Sequence, residues 1–415
     1  MKVTDIIAEI IKKNKIKNVF GLQGGAVVHI FDSLERKKIN VTYNHHEQSS
    51  ALAAVANAKI TNNIGCAVVT TGPGSTNAIT GLLASWQDSI PCLFISGQAR
   101  SNHVSYGKKV RQTGTQEVNI CDIVRPITKY TKFINRKEDV EIEFVKAIEI
   151  AKSGRPGPVW LDLALETQWA DTKYNKIKLK NKTFKKKKNS NNYIKAIKLI
   201  KNSKRPLFII GYGVRLSRFD EGKLKKFLDK NNLPFVLTWN TADIIQTNHR
   251  NNLGIIGMSG QRGANKSIFQ SDLLICLGTH LGIPHTTTLY DSYAKNAKKI
   301  IINIDKNQLD NLNVKFDLKI VDDVKNFLDF LVKQKKLSKI KNLQKNKKYN
   351  WYNFKSERVN SNQIIRKLTQ KINKKKCIIV DGGGTALYAG FQSSILKKND
   401  RIICSSAISA MGTGL

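Results

Sequence analysis

The chain has 415 residues, enough for two or three domains with sizeable cores. Its 70 Lys and Arg against 31 Asp and Glu give a formal net charge of +39. These cations crowd the connectors 173–188 and 333–348 and the helix faces, leave the glycine-rich motifs nearly free, and accompany no DNA- or RNA-binding motif, so the sequence excludes a specific nucleic-acid partner. Scattered cysteines without CxxC spacing exclude zinc and disulfide frameworks. Apolar runs such as 66–70 and 207–210 are too short to span a bilayer, and the N-terminus carries no signal-peptide core, so a cytoplasmic protein without a membrane partner is expected.

In chain order, strands alternate with helices, the pattern of doubly wound α/β domains. The spacing predicts a helix over 3–14, a strand over 18–20, a Gly-Gly turn and a helix over 27–35. It continues with a strand over 41–43, a helix over 47–60, a strand over 65–70, a helix over 77–87 and a strand over 92–96, and closes near Val159-Trp-Leu-Asp162. The first domain is bounded at 1–170, and a basic linker without hydrophobic period covers 171–191. A second α/β domain, 192–332, is expected around strands over 206–210, 235–238, 273–277 and 299–304. A second basic linker at 333–355 precedes 356–415, which reads as a helix over 356–372, a strand over 377–380, a helix over 385–393 and a strand over 401–404.

Five motifs stand in order along this frame: Phe20-Gly-Leu-Gln-Gly-Gly-Ala26, His45-His-Glu-Gln48, Thr71-Gly-Pro-Gly-Ser-Thr-Asn77, Arg155-Pro-Gly-Pro158 and Ser409-Ala-Met-Gly-Thr-Gly-Leu415. The glycine loop Asp381-Gly-Gly-Gly-Thr385 precedes the last of them. Glu47 opens a helix rich in Ala51, Ala53, Ala54, Ala56 and Ala58, small residues that admit another surface closely; taken alone, a first-turn Glu complements the helix dipole. The 71–77 loop joins a strand to a helix N-terminus, a place suited to an anion, but is neither GxGxxG nor GxxxxGKS. His45 and His46 are adjacent on an extended segment and point opposite ways, so they share no ligand; His46 is the candidate to line a cavity. His280 and His285 carry no assignable role.

Together these motifs resemble the acetolactate synthase branch of the thiamine-diphosphate enzymes through essentially the whole chain. The resemblance implies a pyrimidine-binding doubly wound domain, a central Rossmann-like domain that either binds FAD or is a relic of one that did, and the start of a diphosphate-binding α/β domain. It implies catalytic roles for Glu47, against the aminopyrimidine of thiamine diphosphate, and for Gln116, facing the 2-oxo acid. Cofactor contacts follow for Gly24, Gly25, Ala26, Pro73, Asn77, Gly383, Gly384, Thr385 and Met411, and FAD contacts for Arg155, Gly257, Met258, Gly278 and Asp305. The family's Gly-Asp-Gly…Asn stretch is absent, so no metal ligand is expected within the chain; the magnesium ligands would lie beyond Leu415, and the chain alone is expected to be inactive.

The family reaction is decarboxylation of pyruvate or another 2-oxo acid with transfer of the carbanion to a carbonyl acceptor, by a homodimer or homotetramer. Three departures, Gln23 for Pro, Thr115 for Phe and Thr279–Pro284 for an Arg-Phe-Asp-Asp-Arg run, keep open a 2-oxo acid decarboxylase or a keto-sugar acyl-transferring relative. A catalytically inactive basic binding protein is the alternative from another class.

Overall fold

The computed structural model describes residues 1–179, 189–258, 260–288, 290–334, 337, 358–405 and 407–412, which fall into two compact units. Unit 1 spans Met1–Thr183 together with Ser405–Thr413, and unit 2 spans Phe184–Cys404.

In unit 1 a six-stranded, all-parallel sheet runs in the order β2-β1-β3-β4-β6-β5. Its strands are β1 (Asn18–Gly21), β2 (Asn40–Tyr43), β3 (Gly65–Val69), β4 (Cys92–Gln98), β5 (Tyr130–Ile134) and β6 (Val159–Ala164). Strands β3, β4 and β6 are buried at every position, as strands covered on both faces must be, and that is why they read as mainly apolar runs. Phe94 of β4 stacks on Trp160 of β6 with ring centroids 5.4 Å apart. Strand β5 escapes that signal, because its Tyr-Thr-Lys-Phe-Ile sequence lies at the sheet edge and is only partly covered.

The chain leaves β1 for β2 on one side and returns to β3 on the other, so the order reverses between β1 and β3, where Phe20 pairs with Ala67 and Gly21 with Val68. The crevice beyond the C-terminal ends of such neighbouring strands is the general ligand position of open α/β sheets. Both of the glycine-rich motifs of this unit begin there.

Unit 2 repeats the architecture, with all-parallel order β12-β11-β10-β7-β8-β9. Its strands are β7 (Pro206–Ile210), β8 (Phe235–Leu237), β9 (Asn252–Ile255), β10 (Leu273–Leu277), β11 (Lys298–Asn303) and β12 (Leu318–Val321). Here the order reverses between β7 and β10. Strands β9 and β12 form the two edges and, like β5, lack a buried apolar run.

The helix at Ser361–Lys371, β13 (Cys377–Val380), the helix at Gly384–Ser393 and β14 (Arg401–Cys404) follow in the expected order, the first helix starting after its cap Asn360 and not at 356. Val380, Leu387, Phe391, Leu396, Ile402 and Cys404 enter the same hydrophobic core as the central strands of unit 2. Strands β13 and β14 pair with each other in parallel. Of the basic linkers, 180–188 of the one expected at 171–191 and most of the one expected at 333–355 lie outside the described residues, and the helix Ser190–Asn202 already starts inside the first. Of the cysteines, only Cys377 is exposed, and the others are buried.

Asp243 anchors this arrangement. Its side chain is fully buried, Oδ1 accepts from Arg215 Nη1 at 2.6 Å, and Oδ2 accepts from Arg401 Nε at 2.7 Å and from the backbone N–H of Ile402 at 3.1 Å. Asp243→Ala would strand the buried Arg215 guanidinium with Glu221 as its remaining carboxylate and detach the start of β14, so it is expected to cost unit 2 about 3 kcal/mol. Urea unfolding followed by far-UV circular dichroism measures this, and an unchanged midpoint would contradict it.

Candidate active site

Glu47 owes its position to three local devices. Strand β2 ends at Tyr43, His46 stays extended at φ −151°, and Glu47 is the first residue of the helix Glu47–Thr61. His46 caps that helix, its Nδ1 accepting from the Gln48 N–H at 3.1 Å, and its side chain is exposed. The expectation that His46 lines a cavity gives way to this capping role, which satisfies an otherwise unpaired N–H of the helix's first turn.

The Glu47 carboxylate is 7% exposed, and its Oε2 accepts from Asn77 Nδ2 at 3.0 Å. Asn77 closes the short helix Pro73–Asn77, which starts after Gly72 at φ 62° with Pro at its first position. A Cβ at Gly74 would lie 3.4 Å from Glu47 Oε1 and 2.6 Å from Thr70 Cγ2, so this part of the motif has no room for a side chain. Behind it, the helix of Glu47 packs on the helix Ile79–Gln87, where a Cβ at Gly81 would come within 2.3 Å of Ala51 Cβ. The buried pair Lys59 and Asp88, 2.6 Å apart, ties the far ends of the same two helices. The alanines thus serve the close approach anticipated for them.

On the other side of Thr70 lies the turn Gly24-Gly25-Ala26. A Cβ at Gly24 would strike Thr70 Cβ at 2.6 Å, and one at Gly97 of β4 would lie 1.8 Å from the Ala26 carbonyl oxygen. Gly25 instead faces open space. Gly24, Ala26, Gly74, Asn77 and Glu47 are therefore gathered around Thr70 at the end of β3, with Pro73 exposed on the same loop.

Gln116 joins this group through its backbone. It is exposed, adopts φ 60°, and its carbonyl lies 3.1 Å from Thr71 Oγ1; a Cβ at Gly72 would come within 2.5 Å of that carbonyl oxygen. Its neighbour Glu117 is buried and accepts from the N–H groups of Ser105 at 2.9 Å and Thr113 at 2.8 Å, which closes the segment leading to Gln116. Burial opposes ionisation of Glu117, but hydrogen bonds from Ser105, Thr113 and Gly114 prevail and hold its carboxyl below the ordinary range.

Beneath the loop runs a buried polar chain. Thr71 Oγ1 donates to Gln98 Oε1 at 2.9 Å, Gln98 Nε2 donates to Asp162 Oδ2 at 3.0 Å and to the Val118 carbonyl at 2.8 Å, and Ser96 Oγ donates to Asp162 Oδ1 at 2.6 Å. Tyr106 Oη lies 3.1 Å from both Asp162 Oδ2 and the Val118 carbonyl, and Trp160 Nε1 donates to Ser96 Oγ at 2.8 Å. Burial pushes the Asp162 carboxyl up to about 7, against the hydrogen bonds from Ser96, Gln98 and Tyr106 that favour its charge. Gln98, Tyr106, Glu117 and Asp162 are absent from the residues that sequence reasoning assigns to the site. The one available signal is an acidic residue inside the apolar strand Val159-Trp-Leu-Asp162.

In unit 2, Gly383, Gly384 and Thr385 open the ten-residue helix Gly384–Ser393, where Gly384 has φ 51° and free space where a Cβ would stand. Gly211, Gly213 and Gly278 meet at the reversal between β7 and β10. Gly213 N–H donates to the Gly278 carbonyl at 2.9 Å, and a Cβ on Gly278 would lie 2.7 Å from Gly213 Cα, so these glycines serve contact between two stretches of backbone. Gly257, at φ 101°, packs on the Pro284 carbonyl, while Met258 is exposed. Asp305 Oδ1 caps its own helix by accepting from Gln308 N–H at 3.1 Å. Arg155, in unit 1, donates from Nε to Ser89 Oγ at 2.8 Å. Apart from the exposed Met258, each residue expected to touch FAD thus has a role in the fold itself. Met411 is 77% exposed and stands outside the hydrogen-bonded group around Glu47.

Among the described residues no group of three or more His, Cys, Asp or Glu side chains is placed to hold a metal ion, and no helix is long and apolar enough to cross a membrane.

A doubly wound unit with a buried carboxylate at its reversal point fits the resemblance drawn from the motifs, and sequence comparison shows the family. The thiamine pyrophosphate enzyme N-terminal TPP binding domain matches residues 1–123, and the thiamine pyrophosphate enzyme central domain matches residues 194–331. The acetolactate synthase large subunit of Buchnera aphidicola subsp. Schizaphis graminum is 32% identical over 420 residues, covering 96% of this chain and 71% of that protein. The acetolactate synthase large subunit of Haemophilus influenzae is 31% identical over 331 residues, covering 78% and 56%, and the probable acetolactate synthase large subunit of Methanococcus aeolicus is 32% identical over 340 residues, covering 80% and 55%. The chain belongs to the thiamine-diphosphate enzyme family, in the branch of the acetolactate synthase large subunits.

Asp162 makes stability depend on pH in a definite sense. Its folded value of about 7 stands above the ordinary 3.8, so between them the folded chain holds a proton that the unfolded chain has released. That contribution is complete below the ordinary value and is lost as pH rises through about 7. Relative to Asp162→Asn, the wild-type chain is expected to lose unfolding free energy steadily from about pH 4 to about pH 7; parallel curves for the two proteins would show that Asp162 does not titrate there.

Proposed function

We propose that unit 1 supplies the aminopyrimidine side of a thiamine diphosphate site, and that the protein decarboxylates pyruvate or another 2-oxo acid and transfers the two-carbon unit to a carbonyl acceptor. The observation that carries this reading is the Glu47 carboxylate, buried beside Asn77 and the side-chain-free surface of Gly74 at the reversal of the sheet. The donor set suits a flat heteroaromatic ring with a basic nitrogen: one buried carboxylate and one amide bonded to it.

When bound, thiamine diphosphate supplies the carbon acid and the electron sink that decarboxylation of a 2-oxo acid requires. The protein's own part is proton management and placement. Glu47 exchanges a proton with the ring nitrogen, and Asn77, bonded to Oε2, holds the carboxylate in one orientation for it. Gln116 presents an exposed side-chain amide at the rim of the same loop, where it can donate to the carboxylate of a 2-oxo acid. The backbone N–H groups of Gly383, Gly384 and Thr385 suit the diphosphate end, with magnesium to neutralise its charge. Nothing in the reading is routed through FAD. Assembly as a homodimer or homotetramer is part of the proposal, since in this family the two ends of the cofactor are held by different subunits.

In a version of the enzyme that carries the magnesium-binding stretch, with thiamine diphosphate and magnesium added, Glu47→Gln is expected to slow exchange of the thiazolium C2 proton by about 10²-fold while circular dichroism stays unchanged. Exchange at the wild-type rate in this variant would remove Glu47 from the chemistry.

Thr115, exposed beside Gln116, takes the place of a bulky aromatic side chain in the acceptor region and leaves more volume there. Given pyruvate and a panel of acceptors, the complete enzyme with its magnesium-binding stretch is expected to favour acceptors larger than a second pyruvate, such as 2-oxobutyrate or a 4-keto sugar. Acetolactate formation at a kcat/KM of about 10⁴ M⁻¹s⁻¹ or more, uncontested by any larger acceptor, would contradict this preference.

A further inference from the structure

We propose that Asp162 is a positioning residue: acting through the side-chain amide of Gln98, it sets the placement of the Thr71–Asn77 loop against the Gln116 segment. The inference rests on the proposed function only for the importance of that loop, which carries the Asn77 partner of Glu47.

The argument starts from the amide of Gln98, whose two ends differ chemically. Its NH₂ group faces three oxygens, Asp162 Oδ2 at 3.0 Å, Tyr106 Oη at 3.0 Å and the Val118 carbonyl at 2.8 Å. Its oxygen faces two donors, Thr71 Oγ1 at 2.9 Å and the Ala99 N–H at 2.9 Å. Turning the amide over would set its carbonyl oxygen against the Val118 carbonyl and, where Asp162 is ionised, against the carboxylate, and its NH₂ against the Ala99 N–H. In a buried site such mismatches cost far more than the bonds gained. Asp162 therefore helps determine that an acceptor is presented to Thr71.

Thr71 passes this constraint on. Its hydroxyl has one proton, with the Gln98 oxygen and the Gln116 carbonyl both in reach. The next residue, Gly72, turns back at φ 62° with its backbone pressed on Gln116, and five residues further on Asn77 reaches Glu47. The chain of contacts runs from the sheet interior to the candidate catalytic carboxylate without a break.

Asp162 is itself held from several sides. Ser96 donates to Oδ1 and is fixed in turn by Trp160, and Tyr106 approaches Oδ2. The titratable groups facing it are Tyr106 and the buried thiol of Cys121, both displaced upward by burial first and by Asp162 second. No ion pair with Asp162 is present among the described residues. A carboxylate in an apolar sheet, without a cation and with its hydrogen bonds directed at a loop anchor, suits a role in orientation.

The test uses hydrogen exchange on the full chain without added cofactor. Asp162→Leu removes both acceptors and keeps comparable volume, whereas Asp162→Asn can turn its remaining acceptor toward Gln98. Exchange at the amides of 71–77 and 116–118 is expected to rise about tenfold in the Leu variant, the effect of losing about one buried hydrogen bond, and to stay within about threefold of wild type in the Asn variant. The amides of β4 and β6 should stay within about threefold in both. Unchanged loop exchange in Asp162→Leu, or an equal rise throughout the sheet, would overturn the proposal.

Should the Leu variant fail to fold, Thr71→Val cuts the far end of the relay and is expected to loosen the same amides by the same factor; no change there overturns the proposal equally. The exchange result does not depend on cofactor, so a loosened loop together with unaltered thiamine diphosphate affinity would support the positioning role while counting against the proposed site.

Discussion

The arrangement of unit 1 hinges on keeping one carboxylate, that of Glu47, out of water. A buried carboxylate must be supplied with partners, and the structure meets that demand with the Asn77 amide at 3.0 Å. For Asn77 to reach Glu47, the 71–77 loop must turn sharply at Gly72, begin a helix at Pro73 and lie against a helix of small residues. The constraint then spreads through the unit: Gly81 against Ala51 and the buried Lys59–Asp88 pair hold the two helices, while Gly24 and Gly74 enclose Thr70. Side-chain volume is absent at each of these glycines for the same reason, the proximity of a neighbouring segment.

A second demand comes from below. Gln98 and Asp162 are polar groups within two fully buried strands of the sheet, β4 and β6, where each unsatisfied atom would be costly. Their hydrogen bonds are directed at one another, at Val118 and at Thr71, so the cost of burying them is offset by a network that ends at the candidate site. The loop is therefore held from two directions, by a carboxylate above that belongs to the proposed chemistry and by a carboxylate below that does not.

Unit 2 has the same sheet order logic and a different outcome at its reversal point. Where unit 1 leaves Gly25 facing open space, unit 2 brings Gly213 and Gly278 into backbone contact with a hydrogen bond between them. The same geometric opportunity is used in one unit for a site and in the other for packing. Asp243, with its two arginines, then binds β14 to the core of unit 2, so the segment after residue 358 shares that core with the central strands.

Much of this organisation is legible in the residues alone. Buried strands are mainly apolar runs and turns are marked by glycine, so the alternation of strands and helices, the family and the place of Glu47, Asn77 and Gly24 along the chain can be read without coordinates. Edge strands β5, β9 and β12 cannot, because a half-covered strand needs no apolar run. It takes the packed chain to make His46 a cap, to turn Asp305 toward its own helix, and to bring Gln98, Tyr106, Glu117 and Asp162 under the loop. Periodicity records which face of an element is buried, whereas the partner of a buried polar atom often lies tens of residues away and is chosen by how the strands are ordered, which local sequence does not encode.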